Sequence, residues 1–144
     1  MIKVFGNLFL LASIFLFACQ SGTKEPEKTE RQKLYEEVMA IHDEMMPKIK
    51  PMRDVQKEIL AALNDTSQNL SEEQKANYGA AYTFLENADK HMNNWMKQFK
   101  NPPQDGNDTY AIKYLTDQKK KVTIMKTMME QNITEAKKAY KFEL

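Results

Sequence analysis

The sequence predicts an all-α fold, an antiparallel three-helix bundle with up-down-up topology and coiled-coil-like packing. One observation is composition: the 144 residues include only four Gly and five Pro, whereas residues with high helix propensity are abundant. The other is periodicity, because three long segments repeat apolar residues at steps of three and four, which is typical of amphipathic helices. Two short polar segments separate them, so neighbouring helices should run antiparallel.

The central helix is predicted around residues 78–99, where the only Trp lies on a broad apolar face. Its apolar residues are Tyr78, Ala81, Tyr82, Leu85, Ala88, Met92, Trp95, Met96 and Phe99. A face of this width needs more than one partner helix. Ser71 and Gln74 form a capping-box pattern that should begin the helix, and the two prolines after Asn101 should end it.

The first helix should run from about residue 28 into the low sixties. Its apolar residues are Leu34, Val38, Ile41, Met45, Ile49, Met52, Ile59 and Leu63. Pro47 and Pro51 lie inside this pattern, and a proline in a straight helix interior costs about 3 kcal/mol. Because the apolar register continues across both prolines, one helix kinked at Pro47 and Pro51 is favoured. A true break at Met46–Pro47 is the alternative.

The third helix should begin at a cap formed by Asp108 or Thr109 and reach about Lys141. One face carries Tyr114, Leu115, Gln118, Val122, Met125, Met128, Met129, Ile133, Ala136 and Tyr140. The lysines at 119–121 point in different directions around this helix, so they are interpreted as a solvated face. Contact with anionic lipid is the alternative.

The first 19 residues indicate a targeting segment. Lys3 supplies a short positive region, and the apolar run after it is shorter than the about 20 residues that a spanning helix needs. The run ends in Leu-Phe-Ala-Cys at residues 16–19, which resembles the bacterial lipobox. This resemblance implies that residues 1–18 are a signal peptide and that Cys19 is lipidated and becomes the mature N-terminus.

Several acyl chains on Cys19 would anchor the chain stably to a membrane. Residues 19–30 are polar around Pro26 and should form a flexible tether, which leaves residues 31–144 as the helical domain. Gln20 stands where an Asp can favour inner-membrane retention, so the outer membrane is favoured, on its periplasmic side or at the cell surface. An ordinary secretory peptide with a chance Cys, or a short membrane anchor, is the alternative.

Charge and motifs exclude several classes of function. Removal of residues 1–18 takes Lys3 from the 21 basic residues, so the remaining 20 balance the 20 acidic ones, and nothing favours a nucleic acid as partner. The sequence contains no Gly-rich phosphate loop, no zinc spacing of Cys and His and no His-Glu-x-x-His motif. We therefore expect no enzymatic activity, and a structural role or a protein partner instead.

Two histidines with nearby methionines form a candidate metal site. They are His42 with Met45 and Met46, and His91 with Met92 and Met96. In an antiparallel hairpin that turns near residue 67 or 68, the two histidines fall at nearly the same level. Imidazole and thioether ligands suit copper, above all Cu(I), so copper binding is one alternative function. Packing of the methionines in the core, with the histidines at its edge, is the simpler interpretation.

Three segments resemble known families. Residues 42–49, HDEMMPKI, and residues 91–99, HMNNWMKQF, are similar to small Bacteroidetes-type lipoproteins often labelled "viral A-type inclusion protein". That label reflects coiled-coil similarity, and the resemblance implies no established activity. Residues 70–74, LSEEQ, are similar to the Leu-Thr-x-x-Gln motif of Spy/CpxP-type periplasmic chaperones. This second resemblance implies a holdase as another alternative function, although the same residues also fit a capping box.

Overall fold

The computed structural model describes residues 27–102 and 107–144. Within these ranges all regular structure is helical, and the prediction of an all-α helical bundle is confirmed. The elements are α1 (Glu30–Met45), a 3-10 turn (Met46–Lys48), α2 (Ile49–Asn64), α3 (Glu72–Gln98) and α4 (Asp108–Ala139). Together α1, the 3-10 turn and α2 correspond to the predicted first helix. The predicted signal peptide, Cys19 and most of the predicted tether lie outside the described residues.

Helix α1 begins at a capping box that its own residues supply. The Thr29 side chain accepts a hydrogen bond from the backbone N–H of Gln32, and the Gln32 side chain accepts one from the N–H of Thr29. These bonds satisfy backbone donors that a helix start otherwise leaves unpaired. The start at Glu30 is close to the predicted start near residue 28.

The chain passes Pro47 in a tight helical turn. The α-helical pattern ends at Met45, and the next three residues form a 3-10 turn. Backbone angles at Met45, Lys48 and Ile49 are right-handed helical, so α2 follows without a loop. A 3-10 segment inside a long helix is a known response to local strain. The bend that we expect at Pro47 and Pro51 stays a prediction.

Helix α3 begins at the predicted capping box. The Ser71 hydroxyl accepts a hydrogen bond from the N–H of Gln74, and the Gln74 side chain accepts one from the N–H of Ser71. The helix ends at Gln98, shortly before Asn101 and the prolines that should prevent its continuation.

Helix α4 is capped by Asn107, so the prediction of Asp108 or Thr109 as its cap is wrong. The Asn107 side chain accepts a hydrogen bond from the N–H of Tyr110 at 3.3 Å. Asp108 is instead the first helical residue, where a carboxylate interacts favourably with the helix dipole. Both residue types are good caps, and periodicity alone did not distinguish them.

The C-terminal half of α4 differs from prediction at one position. The helix ends at Ala139, close to the predicted end at about Lys141, and Tyr140 has an extended backbone. Met128 is 40% exposed, whereas Met129 is fully buried. Adjacent helix positions point about 100° apart, so only one of these two methionines faces the core.

The first helix changes its partner at the 3-10 turn. The closest backbone approaches join α1 to α4, α2 to α3, and α3 to α4. Between α2 and α3, Arg53 donates two hydrogen bonds to the carboxylate of Asp89, at 2.8 and 3.1 Å. A two-bond guanidinium–carboxylate contact sets distance and orientation together, so it fixes how these helices sit against each other.

Ion pairs between α1 and α4 show that these two helices run in the same direction. Lys119 pairs with Glu37 at 3.0 Å, and seven residues further along both helices Lys126 pairs with Glu44. Residue numbers rise together along the two helices, as in a parallel pair.

One apolar core lies between the helices. On the first helix, four residues spaced seven apart have no exposed surface: Val38, Met45, Met52 and Ile59. They form the buried seam, the line along which this helix faces the core. The buried apolar cluster comprises Val38, Met45, Ile49, Met52, Val55, Ile59, Ala81, Leu85, Ala88, Met92, Trp95, Val122, Met125, Met129, Ile133 and Ala136.

Candidate functional site

The predicted metal-binding histidines lie on α1 and α3 at the edge of the core. The ring of His42 faces Trp95, with 5.7 Å between centroids, and its Nδ1 lies 2.8 Å from Oδ1 of Asp43. His91 precedes Trp95 by four residues, about 6 Å along the α3 axis. Both histidines are partly exposed. The structure therefore brings His42 against the indole and places His91 about one turn before Trp95 in α3, towards its N-terminus.

The four methionines of the predicted metal site differ in exposure. Met45 and Met92 have no exposed surface and belong to the buried cluster, whereas Met46 and Met96 are partly buried and pack against it. An ion would reach Met46 or Met96 from the surface but would have to enter the core to reach the other two. Within the described ranges no three His, Cys, Asp or Glu side chains converge as a metal site. Copper binding through these residues stays a prediction.

Trp95 uses its ring for packing and not for hydrogen bonding. It is 7% exposed and stacks on Phe99 with 5.0 Å between centroids. Its Nε1–H is buried and has no acceptor among the described residues. Most buried donors in proteins are paired, and this N–H is an exception among the described residues. The ring contacts, not a hydrogen bond, therefore hold the indole in place.

Five rings form an aromatic row that joins three helices: Trp95, Phe99, Tyr35, Tyr114 and Tyr110. Phe99 is the centre, because it stacks on Trp95 and lies 6.5 Å from Tyr35 and 6.3 Å from Tyr114. Tyr114 then stacks on Tyr110 at 6.4 Å. Exposure rises along the row from Trp95, at 7%, to Tyr110, at 65%. The row leads from the core to the surface.

Arg31 joins the same three helices from the side of α1. It is 8% exposed, its Nη2 donates to the carbonyl of Pro102 at 2.9 Å, and its Nη1 lies 3.3 Å from Oδ1 of Asp108. Sequence analysis did not identify this residue. The available signal was its spacing, since Arg31 stands seven residues before Val38 and so extends the buried seam of the first helix by one heptad.

The N-terminus of α1, the C-terminus of α3 and the N-terminus of α4 meet at one end of the bundle, which we call the tether end. A pocket of about 100 Å³ opens there, and the backbone N–H of Lys100 donates to the Tyr114 hydroxyl at 2.7 Å beside it. The pocket is lined by Lys100, Asn101, Pro102, Tyr110 and Tyr114. It is too small for a drug-sized ligand, so this end presents a surface rather than a cavity.

None of the described helices combines the length and the apolar character needed to cross a bilayer. Comparisons of the chain with protein-family models, with curated proteins and with solved structures find no match.

Proposed function

We propose that the protein is a cell-envelope lipoprotein, anchored to a membrane through Cys19, whose helical bundle has a structural or protein-interaction role. The observation that carries this proposal is the position of the only Cys. It stands at the last position of Leu-Phe-Ala-Cys, directly after a charge-free apolar run, where lipidation requires it. The outer membrane is the favoured location, with the bundle on its periplasmic side or at the cell surface.

The start of the bundle supports a domain held on a tether. Because Thr29 and Gln32 form the capping box of α1 between themselves, the cap needs no residue before Thr29. Arg31 then ties the first turn to the carbonyl of Pro102 and to Asp108. The first turn is thus held from within the bundle, and Lys28 and Glu27 pair with Glu36 and Lys33 of α1. The polar residues before Glu27 are then the ones that we propose as a tether.

The use of charged side chains supports a structural or interaction role. Ion pairs join α1 to α4 and α2 to α3, and the pair between Arg53 and Asp89 is an example. Such pairs contribute little stability individually but favour one arrangement of the helices over others. A fixed arrangement is what a scaffold or a partner-binding module presents.

The test of the anchor is metabolic labelling of the full chain in a bacterial host. The unchanged protein should incorporate a radiolabelled fatty acid and partition into detergent, whereas Cys19→Ala should accumulate as an unlabelled precursor. Ser13→Ala, a change within the same apolar run that leaves the Cys in place, is the control and should label normally. Release of the unchanged protein as an unacylated, soluble form would reject the proposal.

A further inference from the structure

We infer that the tether end of the bundle rests on the surface of the bilayer, with the ring of Tyr110 in the headgroup region. This inference builds on the proposed lipid anchor, and it names a lipid surface as the partner of this end. It also assigns an orientation, since the opposite end, near the α2–α3 connection, then points away from the membrane.

Tether length brings the tether end close to the anchor. From Cys19 to Glu30 a fully extended chain reaches at most about 38 Å, and a flexible chain of this length spans about 18 Å on average. Helix α3, with 27 residues, is about 40 Å long. A flexible linker of this length is thus shorter than the bundle. With the proposed anchor at Cys19, the end that carries Glu30 would therefore lie nearer the membrane than the opposite end.

Arg31 determines which other residues share that end. Through its contacts with the Pro102 carbonyl and with Asp108, the start of α4 lies beside the start of α1. Tyr110 follows Asp108 by two residues and is 65% exposed. No other aromatic side chain in the described ranges is as exposed. The exposed ring therefore lies at the end to which the tether leads.

The chemistry of this end suits a membrane interface. Tyrosine is enriched at the headgroup level, because its ring is apolar and its hydroxyl stays hydrated. Tyr110 is backed by Tyr114 at 6.4 Å, so it enters the interface already ordered. Lys100 lines the same pocket as Tyr110, Lys113 follows one helical turn later, and both lysines are exposed. Their ammonium groups can meet lipid phosphates.

Acidic residues show that the ring, and not net charge, should dominate this contact. At the same end Arg31 pairs with Asp108, Lys28 with Glu36 and Lys33 with Glu27. Glu30 is also exposed there, so the two lysines do not make this end strongly basic. A contact based on an aromatic ring is not screened by salt, whereas one based on exposed charges is. The orientation should therefore persist at high ionic strength.

The opposite end also carries aromatic residues, but they are committed to one another. Tyr78 packs edge-on against Tyr140 at 4.8 Å, and Tyr140 stacks on Phe142 at 6.4 Å. All three rings are partly buried. Among the described residues, this end thus has no ring as exposed as that of Tyr110.

The test is fluorescence quenching on the acylated full chain in phosphatidylcholine vesicles that contain brominated lipid. Trp95→Phe removes the only native Trp, and Tyr110→Trp then provides one reporter at the tether end. Leu60→Trp in the same background is the matched control, because Leu60 is 40% exposed on the last turns of α2, near the opposite end. We expect quenching and a shift of emission to shorter wavelength for Tyr110→Trp only, at both low and high salt.

A second measurement leaves Trp95 in place. With the Cys19 sulfur acylated, Tyr110→Cys or Leu60→Cys introduces the only free thiol of the chain, and a nitroxide can be attached there. On vesicles the label at position 110 should become more accessible to oxygen and less accessible to a water-soluble nickel chelate, while the label at position 60 should not change.

The outcomes separate the orientation from the anchor. Protein that floats with the vesicles but shows neither quenching nor a change in accessibility at position 110 would overturn the inference and leave the anchor intact. The same would follow if positions 110 and 60 responded equally. Protein that does not float with the vesicles would overturn the proposed anchor, and the inference with it.

Discussion

At the scale of single residues, Trp95 links α1 and α3 through ring contacts. Its indole lies 5.7 Å from the ring of His42 and 5.0 Å from that of Phe99. Because Nε1–H has no acceptor among the described residues, the value of this side chain lies in its apolar area. Aromatic pairs at such distances add about 0.5–1.5 kcal/mol to the burial of area alone.

Two substitutions of Trp95 should show that its ring, and not its Nε1–H, stabilises the fold. Trp95→Ala should cost about 3–5 kcal/mol of the free energy of unfolding, because it removes a buried ring and leaves a cavity. Trp95→Phe should cost much less, since it keeps a ring against Phe99 and gives up no hydrogen bond. Urea denaturation followed by circular dichroism measures both values. A loss below about 1 kcal/mol for Trp95→Ala would place the indole outside the core.

At the scale of helices and their ends, Arg31 connects the first turn of α1 to the end of α3 and the start of α4. Arg31→Ala should lower the free energy of unfolding by about 1–3 kcal/mol, because it leaves the Pro102 carbonyl without this donor in a buried position. The neighbouring Lys33→Ala should change it by at most about 1 kcal/mol, since Lys33 pairs with Glu27 in solvent at 3.6 Å.

Hydrogen exchange should locate the effect of Arg31→Ala. Amides at the start of α1 and the start of α4 should exchange faster in this variant, while amides around the Ser71 cap, at the opposite end of α3, should not. Equal stability of Arg31→Ala and Lys33→Ala would contradict the role assigned to Arg31.

The existence and faces of the helices were predictable from sequence because burial imposes a period of three and four residues. The hairpin register was also close: Tyr35 meets Phe99 and His42 meets Trp95, within about one turn of the level predicted for His42 and His91. Helix ends were less predictable, because caps compete locally, as Asn107 and Asp108 do.

The tether end was predictable only in part. The sequence placed apolar rings such as Phe99 on the core face, and the spacing of Arg31 before Val38 continues the buried heptad. Arginine is rarely buried unless paired, however, so that spacing was not interpreted as burial. Its partners, the Pro102 carbonyl and Asp108, lie more than 70 positions away along the chain. A pattern within one helix carries no information about such a contact. Val55, which is buried, was also missed, although it follows the steps of three and four from Met52 to Ile59.

At the scale of the whole molecule, several carboxyl groups are paired in ways that favour their charged form. A hydrogen bond from Lys126 lowers the pKa of Glu44, and this pair joins α1 to α4. Hydrogen bonds from Lys50 and Lys57 lower the pKa of Asp54 within α2. The opposite holds for a group that titrates at alkaline pH: burial raises the pKa of Tyr140 and so favours its neutral form.

These shifts predict how the stability of the bundle depends on pH. A carboxyl group whose pKa is lowered by folding stabilises the folded state above its unfolded pKa, about 4.3 for Glu, and this stability is lost as the pH falls through the folded value. A tyrosine whose pKa is raised stabilises below about 10 and loses that contribution as the pH rises further. The urea midpoint should therefore be nearly constant between about pH 5 and 9 and fall on both sides.

Two variants test how much of the loss of stability at acid pH comes from the pair between α1 and α4. In Glu44→Gln the carboxyl group is gone, and in Lys126→Met the partner that lowers its pKa is gone. Both variants should therefore lose less stability than the unchanged protein between pH 5 and pH 3. The double variant should behave like Glu44→Gln, since in Lys126→Met the carboxyl group of Glu44 still interacts with Lys48. The measurement is a series of urea titrations across this range. If both variants lost stability between pH 5 and pH 3 as steeply as the unchanged chain, the Glu44–Lys126 contact would not form in solution. The parallel register of α1 and α4 would then lose one of its two inter-helix ion pairs.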